Sequence, residues 1–416
     1  MSKTTSRHAG YLIFILGLLT AIGPFSIDMY LPAFPDIARG LHTSVAQVML
    51  SLSSFFIGIS AGQLIYGPLL ERFGRKKPLY AGLLIYLVAS IGCSLAASVH
   101  LLILLRLLQA LGGCVGMVTA RAMVRDLFEV KENARIFSLL MLVVAVSPII
   151  APTLGGYITA LLGWRYVFVM LALVSLGILA GVYFLLPESK QPNPGYSLKP
   201  GPILKNFLEI LRHPQFYTYA LTGAVAYAGL CAYVSGSPFV FMELFGVGER
   251  HFGWIFAFIA MGLIGASQVN NLMLRRYSSE QVIRAAQACQ SLAGLTLLAL
   301  TLAGWANLFL TISLIFVFLC CQGFIFPNAS ALSLAPFGHS AGSASALMGA
   351  IQMGIGAAAS ALVSLLQNHT ALPMAGVMAF SACTAFAVFS LGRRRIRYRA
   401  SREVIEEEEV EMIGTL

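Results

Sequence analysis

Charge is what this chain has least of. Only 11% of its 416 residues are Asp, Glu, Lys or Arg, against 58% hydrophobic. A water-soluble domain carries about 25% charged residues, so a soluble fold of this length could not cover its own surface. Histidine is also scarce, and the seven present fall in the tail, in loops or at the ends of apolar stretches. No HExxH, no paired intramembrane acids and no Ser/His/Asp set appears, which removes the groups a membrane-embedded enzyme needs. No filter sequence or repeated ring of like groups suggests a channel. Cys93, Cys114, Cys231, Cys289, Cys320, Cys321 and Cys383 all lie inside apolar stretches. They read as small packing residues without a disulfide or metal role, so neither a cofactor nor a metal ion is expected.

What fills the chain instead is apolar sequence, with a mean hydropathy of +0.82. Twelve stretches each have the length that crosses a bilayer as a helix, about 20 residues. They run approximately over 10–31, 46–66, 78–97, 101–122, 136–160, 166–186, 215–241, 252–272, 284–303, 307–332, 341–366 and 372–391. The first has no small-residue cleavage site after it and reads as a retained span. The fold class expected is an all-α membrane protein with twelve transmembrane helices. The net charge of +10 would suggest nucleic acid in a soluble protein, but its distribution argues against that. Twenty-two Lys and Arg residues fall on the side that holds both termini, and only Arg39, Arg165 and Arg250 on the other. That bias predicts cytoplasmic termini. Trp164, Trp254 and Trp305 fall at the opposite ends of spans, as an interfacial aromatic belt does.

The longest loop, 187–213, divides the chain into six spans and six. The expected organisation is a first six-helix half (1–186), a linker loop (187–213), a second six-helix half (214–392) and a tail (393–416). The charged turn after span 2 (71–77) has a counterpart after span 8 (275–284), and a Gly/Pro-rich span 5 has one in a Gly/Ala-rich span 11. Two six-span halves with matched irregular helices suggest alternating access around a central cavity. The tail, basic and then acidic, reads as a topology anchor with a partly disordered end.

Four segments carry the chemistry. Gly67-Pro-Leu-Leu-Glu71-Arg72-Phe-Gly74-Arg75-Lys76-Lys77 combines two glycines for a tight reversal with one acid and a block of bases. Arg106 lies about six residues inside span 4, followed by Gln109, Gly113 and Gly116 on one face. An arginine there costs several kcal/mol unless it faces protein or water. Asp28 is the one interior acid of the first six spans and lies at a depth similar to that of Arg106. Such a pair suits a group that gains and loses a proton near neutral pH. Span 5 reads Ser147-Pro148-Ile-Ile-Ala151-Pro152-Thr-Leu-Gly155-Gly156, a helix broken by prolines and able to pack closely. Its expected neighbour is span 11.

The 67–77 turn resembles the cytoplasmic loop signature of the major facilitator superfamily, with Glu71 where Asp is commoner. Arg106-Leu-Leu-Gln109-Ala110 resembles the span-4 motif of its proton-coupled members. Span 5 resembles the antiporter motif of drug exporters. Together with SIDMYLPAFP and Gly236-Ser237-Pro238-Phe239-Val240 with Glu243, these segments resemble the bicyclomycin/chloramphenicol-resistance branch of drug:proton antiporters. The resemblance implies the major facilitator fold in two six-helix halves, the inner membrane of a bacterium, and export of small drugs or related metabolites for protons. It implies proton coupling through Asp28 and Arg106, and a conformational latch at Gly67, Glu71, Arg72, Gly74 and Arg75 that meets the start of span 11 near Ser340–Ser343. It places the antiporter motif at Pro148, Pro152, Gly155 and Gly156. Tyr30, Gln109, Gln322 and Gln352 are candidate substrate-cavity residues. The neutral polar groups of the second half serve equally well as interhelical hydrogen bonds. The expected partners are a small drug or metabolite, protons and the lipid bilayer, with no nucleic acid and with the chain acting as a monomer. Uptake by a proton-coupled symporter of the same fold is the alternative.

Overall fold

The computed structural model describes residues 6–128, 130–195, 197–337 and 340–414. The extreme termini fall outside these, as do the side chains of 397–414 in the tail. Among the described residues every regular element is helical: α1 (Ser6–Asp28), α2 (Phe34–Gly40), α3 (Val45–Phe73), α4 (Lys76–Ser94), α5 (Val99–Leu127), α6 (Val130–Leu162) and α7 (Arg165–Leu185) precede α8 (Pro200–Arg212). After it come α9 (Pro214–Pro238), α10 (Glu249–Met273), α11 (Ser279–Leu302), α12 (Leu308–Leu334), α13 (Ala341–Leu365) and α14 (Leu372–Gly414). Among the described residues twelve helical segments are long and apolar enough to cross a membrane, the first running from Gly10 to Gly40.

Short polar residues set the helix starts. Ser44, Ser98 and Asn307 each accept a hydrogen bond from the backbone three residues on, and Ser278 with Gln281 forms a reciprocal capping box. Each satisfies an otherwise orphaned N–H at a helix N-terminus. The reversal between α3 and α4 turns on Gly74 at φ +82°, a left-handed conformation that glycine adopts without strain.

In the first half α5 packs on α3 and α4, while α1 packs on α5, α6 and α7. In the second, α9 packs on α12, α13 and α14, and α11 on α12 and α14. The main seams between the halves are α3 against α13 and α6 against α10. The predicted partnership of span 5 with span 11 is therefore corrected. The α6 helix faces α1 and α10, because its glycines fit their backbones. A Cβ on Gly155 would lie 1.9 Å from the Met29 carbonyl oxygen, and one on Gly156 would lie 2.7 Å from that of Glu249. Across the same seam, Gly253 of α10 meets the Thr153 backbone. Span 11 uses its small residues on α3 instead. Ser60 donates to the Ala350 carbonyl at 2.7 Å, and Ser53 and Ser360 hydroxyls pair at 2.8 Å.

Three further expectations change. The linker loop contains α8, whose Ile203, Phe207 and Ile210 recur at helical spacing. The tail continues α14 to Gly414, since 393–413 holds no Gly or Pro and is rich in the helix formers Arg, Glu and Ala. Trp164 is buried at 5% exposure beside Gly40, whereas Trp254 and Trp305 are 61% and 73% exposed.

Candidate functional site

Arg106 is the largest fully buried side chain among the described residues. Its guanidinium donates to Gln109 Oε1 at 2.7 Å and to the Ser26 carbonyl at 2.9 Å. Its central carbon lies 4.1 Å from the Phe55 ring centre and 4.4 Å from that of Tyr30, with Phe168 at 5.9 Å. Gln109 passes the network on, donating to Ser90 Oγ at 2.7 Å. Ser26 Oγ and Tyr86 OH pair at 2.6 Å, and Tyr30 OH pairs with Ser51. The charge is held by ring faces and carbonyl oxygens, each desolvated cation–π contact contributing about 2 kcal/mol.

The expected Asp28–Arg106 ion pair is not formed. The two do share a depth, since Arg106 reaches Ser26, but they do not face each other. The guanidinium is held by the Ser26 carbonyl, by Gln109 and by the Phe55 and Tyr30 ring faces, and no ion pair joins it to Asp28. The Asp28 carboxylate interacts electrostatically with Tyr227 and Tyr233 of α9 in the second half. It is 5% exposed and forms no hydrogen bond or ion pair with a described residue. Gly155 seats α6 against the Met29 carbonyl, one residue away. The Tyr233 hydroxyl is buried without a described partner. Sequence reasoning missed both tyrosines, because two aromatics in an apolar span carry no local signal.

The cavity candidates separate. Tyr30 and Gln109 belong to the Arg106 cage. Gln322 accepts from Gln290 at 3.3 Å between α11 and α12, leaving its own Nε2 and both polar atoms of Gln287 unpartnered among the described residues. Gln352 of α13 is buried and makes no hydrogen bond to a described residue.

At the basic end, Arg75 binds Asp126 at 2.7 Å and Glu71 at 3.0 Å. Glu71 also accepts from Lys190, and Glu188 accepts from the backbone N–H groups of Arg75 and Lys76 at 2.7 and 3.1 Å. Arg72 donates to the Pro194 carbonyl at 2.9 Å. Burial opposes the charge on Arg75, but the Asp126 and Glu71 carboxylates outweigh it and hold the guanidinium above its ordinary value. Both Glu71 oxygens are thus used by the first half and the linker, Arg75 on one and Lys190 on the other, and the expected contact from Glu71 to Ser340–Ser343 is replaced. Glu71, Arg75 and Gly67 share a cavity of about 550 Å³ with Ser340, Gly342 and Ser343, and it is Arg125 that approaches Gly342. At the other end a cavity of about 660 Å³ lies between the halves, lined by Arg39, Glu243, Glu249 and His369.

Arg106 is expected to matter through packing and orientation. Arg106→Lys keeps the charge but loses the planar fork and the ring stacking. Arg106→Ala leaves the Gln109 and Ser26 oxygens without a donor, at about 1–3 kcal/mol each. Thermal unfolding in detergent should rank wild type above Lys and Lys above Ala. A variant Arg106→Ala as stable as wild type would show that the cage does not hold the first half together.

The chain matches the Major Facilitator Superfamily over residues 16–361. It is 34% identical over 399 residues to the uncharacterized MFS-type transporter YdgK of Bacillus subtilis, covering 95% of this chain and 99% of that one. It is 31% identical over 378 residues to a bicyclomycin resistance protein homolog of Haemophilus influenzae, covering 91% and 94%. Among solved structures, a bacterial homolog of the human lysosomal transporter Spinster, inward-facing and occupied, superposes with a TM-score of 0.70 at 15% identity, covering 94% of this chain and 98% of that one.

Proposed function

We propose that this chain, which belongs to the Major Facilitator Superfamily, exports small drug-like molecules across a bacterial inner membrane in exchange for protons. The observation that carries the reading is Asp28. It is the one interior acid of the first six spans, it is buried with no counter-ion among the described residues, and its charge acts on Tyr227 and Tyr233 of the other half. A carboxyl group so placed can lose its proton when the junction opens to one side and regain it from the other. The kinship with a bicyclomycin resistance protein homolog supports a drug as cargo.

The basic bias supports a cytoplasmic location for both termini, the 67–77 turn and the 550 Å³ cavity. In this reading the α3–α13 and α6–α10 seams separate in turn. The Glu71–Arg75–Asp126–Lys190 network keeps the cytoplasmic edge of the first half rigid as it moves. Arg125 then supplies the contact to α13 that the latch needs. The two states need differ by only a few kcal/mol for a proton or a substrate to select between them.

Flux direction tests the reading against proton-coupled uptake. Inverted membrane vesicles with an acid interior should accumulate bicyclomycin or chloramphenicol in exchange for protons when the protein is present. Accumulation only when substrate and proton gradients run the same way would establish symport and overturn the proposal.

A further inference from the structure

The α8 helix has no role in the transport reading, yet its surface is unusual for a linker. At about 100° per residue, Ile203, Asn206, Phe207 and Ile210 fall on one face. This face turns inward, and Ile210 packs with Phe216, Ala220, Ala344 and Leu347. Leu204, Leu208 and Leu211 fall on the adjacent face and are 59%, 43% and 39% exposed. The apolar arc thus spans nearly half of the helix, and the protein covers only part of it. Lys205, Glu209 and Arg212 occupy the remaining side, all exposed.

Position says what covers the leucines. Phe216 opens α9, and Ala344 and Leu347 open α13, so α8 lies where these spans leave the bilayer on the basic face. Only His213 separates it from α9. Lys199, Lys205 and Arg212 outnumber the single acid Glu209, and none of their four charged groups forms an ion pair with a described residue. An apolar flank bordered by bases at bilayer level is the pattern of a helix lying in an anionic leaflet. The inward face of α8 meets the junction of the halves, where Pro202, Ile203, Asn206 and Phe207 wall the 550 Å³ cavity that Glu71 and Ser343 also line.

We infer that α8 docks on the anionic phospholipids of the leaflet at the basic face, its leucines among the upper acyl chains and Lys205 and Arg212 at the headgroups. Lipid thereby holds one wall of the opening between the halves. This docking does not depend on the direction of transport.

The test is depth measurement in lipid nanodiscs with Leu208→Trp, a position 43% exposed on the leucine face. The parent protein supplies the emission of Trp164, Trp254 and Trp305 for subtraction. In nanodiscs containing phosphatidylglycerol, the added emission should be quenched by phospholipids brominated near the top of the chain and protected from iodide. Adding Lys205→Gln and Arg212→Gln, or using phosphatidylcholine alone, should cut the lipid quenching at least about twofold. Quenching by iodide and not by brominated lipid would place the face in water and overturn the inference. Protection from both quenchers would mean a protein contact and overturn it equally. Lipid quenching indifferent to headgroup charge and to both substitutions would overturn the anionic docking.

Discussion

Asp28→Asn is expected to yield a folded, membrane-inserted protein that no longer exports against a gradient. The carboxylate has no described hydrogen-bond partner, so the amide orphans nothing. It is nearly the same size, and the neighbouring Met29 carbonyl still receives Gly155. Stability should therefore change by no more than about 1 kcal/mol, within the ordinary range of single substitutions. Function should change far more, because an amide cannot carry a proton. Vesicle export driven by a pH gradient should fall to background, and the purified variant should release no protons on adding substrate. The Arg106 variants make the contrast, since they act on the stability of the first half. Normal drug resistance in cells carrying Asp28→Asn would remove Asp28 from the coupling step.

The membrane spans were legible because a bilayer demands long apolar runs and punishes charge, a constraint that acts on every residue. Depth was legible for the same reason: Asp28 and Arg106 could be placed near one level by counting from the ends of their spans. Azimuth was not. Whether Arg106 meets Asp28 or Ser26 depends on how α1 is rotated against α5, and no residue of α1 alone reports that rotation. The partners of Glu71 were hidden by distance along the chain, since Lys190 lies 119 residues away. Asp126, one turn beyond the apolar part of span 4, was the visible clue, being among the few acids on a basic face. The α8 helix was masked by composition: Pro, Gly and Lys around it read as loop, although Ile203, Phe207 and Ile210 repeat at helical spacing. Span 5 stands out by its glycines, which say that something approaches closely but not what.

What approaches differs for the two glycines, and so should the consequences of filling them. At Gly155 an added Cβ lies 1.9 Å from the Met29 carbonyl oxygen and 2.7 Å from its carbon. Both atoms are backbone and belong to the same half, so neither can swing aside. Gly155→Ala should sit at or beyond the upper end of the roughly 1–3 kcal/mol that overpacking costs, and should lower the melting temperature and the yield of folded protein. At Gly156 the Cβ lies 2.7 Å from the Glu249 carbonyl oxygen, which belongs to the other half. There the strain has an outlet, because the halves can part along the α6–α10 seam. Gly156→Leu should therefore insert and fold nearly as wild type, yet lose export or leak protons through the loosened seam. Dye-monitored proton flux in proteoliposomes, read beside the melting curves, separates the two outcomes. If Gly156→Leu exports normally and leaks nothing, α6 is only a kinked packing helix, and the inference from span 5 to export collapses with it.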